Sequence, residues 1–108
     1  KGCPNDDGKR YAEAALYGSK KHGIFWTEGQ ARANKENLPQ GKFGSKADVD
    51  YVVEKSKELC PGTNGTFPLP SNHTSVVYIP FSTEPPLRAI NVFVKVYEKG
   101  KVHAFPTL

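Results

Sequence analysis

Three histidines, His22, His73 and His103, are the side chains of this 108-residue chain whose type has an ordinary pKa closest to neutral pH. No two of them stand at ligand spacing, and the only two cysteines, Cys3 and Cys60, lie far apart, so a four-ligand metal site is not expected. The acidic residues are scattered, with no obvious pair for general acid–base work. There is no Gly-rich phosphate loop, nucleophile elbow, zincin motif or calcium loop. These residues alone name no enzyme and imply no metal or cofactor.

Other chemistry is written more plainly. Cys3 and Cys60 are placed as a single bridge closing a long loop would require. Asn64-Gly65-Thr66 and Asn72-His73-Thr74 are both N-glycosylation sequons, in a stretch rich in Pro, Gly and Ser. Together these features predict a secreted chain with a Cys3–Cys60 disulfide. The net charge is +4, which permits an anionic partner. Residues 1–42 carry eight basic and five acidic side chains, and the rest carry seven and six. The excess is mild everywhere, so an anion-binding surface has to come from a local grouping such as Lys95, Lys101 and His103. No run of ~18 apolar residues exists to cross a membrane. The length suits one domain over 1–108.

The elements that must position these residues are unevenly legible. Asn5-Asp6-Asp7-Gly8 is a turn signal. Tyr11 to Tyr17 is either a short helix capped by Gly18 or a strand returning from that turn. Ile24-Phe25-Trp26-Thr27 reads as a short strand, and Gln30 to Lys42 as polar loop, so 1–42 is a hairpin-and-loop region. Ser45 to Cys60 is the clearest helix. Ser45 and Asp48 form a capping-box pattern, Val49, Val52, Val53, Leu59 and Cys60 make one apolar stripe, and Pro61-Gly62 stops it. Strands are expected over Ser75–Phe81, Ala89–Tyr97 with Ile90, Val92, Val94 and Val96 on one face, and Lys101–Phe105. The fold class is α+β: one main helix packed on a small twisted antiparallel sheet within 43–108.

The hairpin register decides which residues share a face. A two-residue Lys99-Gly100 loop pairs Tyr97 with Val102. A three-residue Glu98-Lys99-Gly100 loop, with Gly100 left-handed, pairs Val96 with Val102 and Val94 with Ala104. The second keeps Val92, Val94, Val96, Val102 and Ala104 on one dry face and is the one predicted. The opposite face then carries Phe93, Lys95, Tyr97, Lys101, His103 and Phe105. Cations mixed with rings suit a phosphate backbone and stacked bases. An ordinary solvated sheet face with snorkelling lysines has the same composition.

The order of segments from Phe43 to Phe105 resembles the small fungal guanyl-specific ribonucleases, the ribotoxins and the ribonuclease-like secreted effectors of powdery mildews. Phe43-Gly44-Ser45 followed by Asp48-Val49 looks like the family's helix start. Phe67-Pro68-Leu69 stands where the family has its first catalytic histidine, with His73 the nearest imidazole. In Tyr78-Ile79-Pro80-Phe81, Tyr78 takes the place of the general-base glutamate; Glu84-Pro85-Pro86-Leu87 is a competing alignment that retains one. Arg88 and His103 reproduce the family's fifteen-residue arginine–histidine spacing, although the predicted register puts them on opposite faces unless a bulge intervenes.

Three readings follow, in this order: the resemblance implies the first two, and in the third the likeness is accidental. The first is a secreted ribonuclease-fold virulence effector that has lost catalysis. It would act outside the cell or after delivery into a host cell, as a monomer without membrane contact. Its partner is RNA or a host protein, such as an immune receptor, bound through the basic–aromatic face. The second is an active guanyl-type endoribonuclease or ribotoxin forming a 2′,3′-cyclic phosphate with Glu84, Arg88 and His103. The third is a small secreted interaction protein of another α+β fold.

Overall fold

A computed structural model describes Cys3 and residues 6–108. The first residue of the Asn5–Gly8 turn signal, Asn5, lies outside these. The remainder turns as expected. Gly8 N–H and Lys9 N–H donate to the Asp6 and Asp7 carboxylates, and Gly8 takes φ +78°.

The chain is α+β, with two α-helices and two sheets among the described residues. Its strands are β1 (Tyr11–Ala12), β2 (Gln40–Lys42), β3 (Asn64–Pro68), β4 (Val76–Tyr78), β5 (Leu87–Arg88), β6 (Asn91–Val96) and β7 (Lys101–Thr107). The helices are α1 (Gly29–Glu36) and α2 (Lys46–Ser56), and a 3₁₀ turn spans Ala14–Tyr17. The larger sheet runs β1-β7-β6-β3 and the smaller β2-β4-β5. All pairs are antiparallel except β1 with β7, so the larger sheet is mixed rather than antiparallel throughout. No described helix is long and apolar enough to cross a membrane.

The β6–β7 hairpin takes the three-residue loop. Val96 pairs with Val102 and Val94 with Ala104, and Gly100 has φ +93°. A Cβ on Gly100 would also lie 2.4 Å from the Lys9 carbonyl oxygen, so both conformation and space demand glycine there. Val92, Val94, Val96, Val102 and Ala104 are fully buried. Val92, Val94, Val102 and Ala104 meet Leu16, Phe43, Val49 and Val52 in one core cluster. Burying each valine side chain contributes roughly 1.5–3 kcal/mol. Ile90 does not join them and is 61% exposed. The chain passes from one sheet to the other at Ala89 and Ile90. Ala89 turns inward, and the Ile90 amide is taken by the Thr107 carbonyl, which shifts the alternation by one residue.

Helix α2 covers the inner face of the larger sheet. It stops four residues before Cys60, in a turn over Lys57–Leu59. Cys60 is therefore exposed and off the apolar stripe, where it bonds to Cys3. Ser45 caps α2, its hydroxyl accepting from the Asp48 amide at 3.3 Å. The Asp48 carboxylate does not complete the reciprocal box. It reaches out of the helix to the Thr74 amide (3.0 Å) and the Ser75 hydroxyl (2.6 Å), tying the helix start to the segment before β4.

Four further expectations are corrected. Ile24–Thr27 is not a strand. Ile24 and Phe25 amides bond back to Leu16 and Gly18 carbonyls, and Trp26 is buried as an anchor for a turn. Gln30–Lys42 is not loop. It holds α1, closed by Asn37 at φ +55°, and then β2. α1 shows little apolar periodicity, because Ala33 is its one buried side chain, the other buried residue being Gly29. Polar bonds along it do the remaining work: Gln30 to Asn34, Arg32 to Glu36, and Gln30 to the Ile79 carbonyl. The 1–42 region has no hairpin among its described residues, since β1 pairs only with β7. Ser75–Phe81 is strand only over Val76–Tyr78, and Phe81 turns away at φ +62°.

Candidate functional site

The outer face of the larger sheet, away from α2, carries the residues singled out from the sequence. On β6 stand Phe93, Lys95 and, just beyond the strand, Tyr97; on β7 stand Lys101, His103 and Phe105. Phe93 lies opposite Phe105 and Lys95 opposite His103. The Phe93 and Phe105 rings stack at 5.1 Å, and the Lys95 and Lys101 ammonium groups each lie 5.1 Å from the Tyr97 ring centroid. All six expected residues thus share one surface, rings at one end and cations at the other.

Three residues that sequence reasoning missed complete it. Tyr11 on β1 sits beside Lys101, and the two line a hollow of about 380 Å³ with Tyr97, Glu98 and Lys99. Glu13 follows β1 and accepts from His103 Nδ1 at 2.8 Å, with Lys101 Nζ at 3.9 Å. The carboxylate orients the imidazole and offsets about one positive charge. His22 comes from the turn before Trp26. It stacks on Phe105 at 5.1 Å, so three rings, His22, Phe105 and Phe93, form a column. His22 is buried, and burial pushes its pKa down to about 4 despite the hydrogen bond to the Gly41 carbonyl. Neutral His22 donates Nδ1–H to that carbonyl at 2.7 Å. Parallel pairing of distant segments brings Tyr11 and Glu13 here, and no local spacing signals it.

The other candidates lie elsewhere. Arg88 is on β5, an edge of the smaller sheet, and its guanidinium bonds the Ser71 carbonyl. Glu84 is exposed in a turn where its amide bonds the Ser82 hydroxyl. Among the described residues no hydrogen bond or ion pair links Glu84, Arg88 and His103. His73 is buried with both nitrogens engaged by backbone: Nε2 donates to the Ala89 carbonyl and Nδ1 accepts from the Ser75 amide. Leu69 packs against the core, and the Tyr78 ring closes on Gly29 of α1. Asn64 and Asn72 are both exposed.

The arrangement offers cations, ring faces and one oriented imidazole on a solvent-facing sheet. Cations beside ring faces are the chemistry that suits a polyanion carrying flat groups. No family model, curated protein or solved structure matches this chain.

Proposed function

We propose that this chain is a secreted, monomeric, ribonuclease-like effector without catalysis that binds single-stranded RNA on the outer face of its larger sheet. One observation carries the reading: Lys95 and Lys101 flank the exposed Tyr97 beside the stacked, half-buried Phe93 and Phe105 rings on one outer surface. Lysines neutralise phosphates, and a ring with a free face stacks a base for roughly 1–3 kcal/mol without asking which base it is; Phe105, held between His22 and Phe93, supports the column and does not itself stack a base. A helix across a sheet, with an N-terminal segment bridged to the helix end, supports the ribonuclease-like part. Leu69 and Tyr78 at the family's catalytic places, and the separate engagements of Glu84, Arg88 and His103, support the loss of catalysis. The Cys3–Cys60 bridge supports secretion.

The test is fluorescence anisotropy with labelled single-stranded RNA across a salt series. Lys95→Ala with Lys101→Ala should weaken binding and lower the slope of log K against log salt by about 1.4, or ~0.7 per phosphate contact. Unchanged affinity in a folded double variant removes this face as the site and leaves a protein partner as the better reading. Guanosine-specific cleavage of RNA, abolished by His103→Ala, would overturn the loss of catalysis.

A further inference from the structure

The basic–aromatic face does not end at the hairpin. β3 extends it past β6, with Asn64 directly opposite Lys95 and Thr66 directly opposite Phe93. Directly opposed residues point to the same side of a sheet, with Cα atoms about 5 Å apart. The alternation agrees. Asn64 and Thr66 are exposed, whereas Phe67 packs against the core and a Cβ on Gly65 would meet Leu59. Both the acceptor and the hydroxyl residue of the Asn64-Gly65-Thr66 sequon therefore stand on the proposed RNA face. Among the described residues neither side chain makes a hydrogen bond, and β3 is the edge of its sheet, so no further strand flanks Asn64. The second sequon is placed differently. Asn72 sits in the turn that Thr74 and Ser75 tie to Asp48 of α2, and that His73 ties to Ala89.

We propose that Asn64 is an N-glycosylation site whose glycan gates the RNA face: the unmodified chain binds, and the chain carrying the Asn64 glycan does not. The gate rests on the RNA-binding reading of that face. An oxidising compartment that closes Cys3–Cys60 is also where N-glycans are added, and the transfer acts on extended chain, so the later strand conformation of Asn64 is no obstacle. A branched sugar chain rooted opposite Lys95 and beside Phe93 covers the cation and the ring edge a nucleotide needs. It supplies no positive charge in return. A glycan on Asn72 grows from the turn at the start of α2 and leaves the face open.

The experiment expresses the chain, Asn64→Gln, Thr66→Ala and Asn72→Gln in one eukaryotic secretory host. Peptide mass spectrometry reads occupancy at Asn64 and Asn72, circular dichroism reads the fold, and anisotropy with a labelled single-stranded RNA reads affinity. The expected result is an occupied Asn64 and RNA binding at least about ten-fold weaker than in Asn64→Gln and Thr66→Ala, as exclusion of one stacked base and its phosphate contact implies. Asn72→Gln should bind like the parent chain. An unmodified Asn64, or equal affinity of the glycosylated chain and both sequon variants, overturns the gate while the RNA reading stands. Failure of the folded sequon variants to bind RNA at all overturns the RNA reading and the gate with it.

Discussion

His22 concentrates more constraint than any other single side chain at the site. It holds φ +70° without being glycine, a backbone state that costs on the order of 1–3 kcal/mol. Its ring is stacked on Phe105 and tied to the Gly41 carbonyl, which is what holds it there. The groups acting on it are Lys21, His103 and Glu13, but burial is the largest influence on its titration. Its pKa is about 4 folded against an ordinary value of 6.5, so the unfolded chain binds the proton more tightly. Stability from this group is complete above pH 6.5 and drains away as pH falls, by about 3 kcal/mol at pH 4. Urea denaturation at pH 7, 5 and 4 should show this loss. His22→Phe, which keeps a ring in the column but cannot titrate, should start less stable at pH 7 and show a flatter dependence. An equally steep decline in that variant assigns the effect to other groups.

At the scale of elements, α2 shows how a cap and a tether divide the work. Ser45 satisfies one amide at the helix start, so Ser45→Ala should cost about 1 kcal/mol. Asp48 satisfies groups on a different segment, the Thr74 amide and the Ser75 hydroxyl, and Ser75 is fully buried. Asp48→Ala strands those donors and should cost roughly 2–3 kcal/mol, more than the loss of the cap. Chemical denaturation of the two variants decides the order. The same helix was legible in the sequence through Val49 and Val52, and the β6–β7 hairpin through its alternating valines and Gly100. Each buries a regular apolar pattern. α1 hides because Ala33 alone anchors it and polar side chains hold the rest. β3 hides because Asn64, Gly65 and Pro68 are turn-forming types that an exposed edge strand tolerates. Ile24 to Trp26 misleads in the other direction, since Trp26 is buried as the anchor of a turn while Phe25 is exposed.

At the scale of the molecule, two attachments hold the N-terminal segment to the end of α2. One is the Cys3–Cys60 bridge, and the other is Arg10. The buried Arg10 guanidinium pairs with Asp6 and donates to the Ser56 and Leu59 carbonyls, where a helix end presents unsatisfied oxygens. The bridge spans 57 residues, and on the chain-entropy account its removal costs about 4 kcal/mol. Cys3→Ser with Cys60→Ser should lose that much in equilibrium unfolding, and the loss should be near zero when the parent protein is measured reduced. The site divides at this scale too. Its six hairpin residues were readable because one turn fixes their register. Tyr11, Glu13 and His22 were not, because they arrive from the far end of the chain.

That arrival sets an order of events. β1 begins at Tyr11 and its partner among the described strands begins at Lys101, so a contact spanning most of the chain closes the sheet. Pairings of such separation form late and slow folding. Cys60 emerges from synthesis well before Lys101 does, so the bridge to Cys3 can close while β7 is still missing. The N-terminal segment is then already moored beside α2 when its partner strand appears. A pair oxidised first would hold the N-terminal segment in place for a strand that has yet to dock. Loss of the bridge should therefore show in the yield of folded protein even where the finished fold tolerates it.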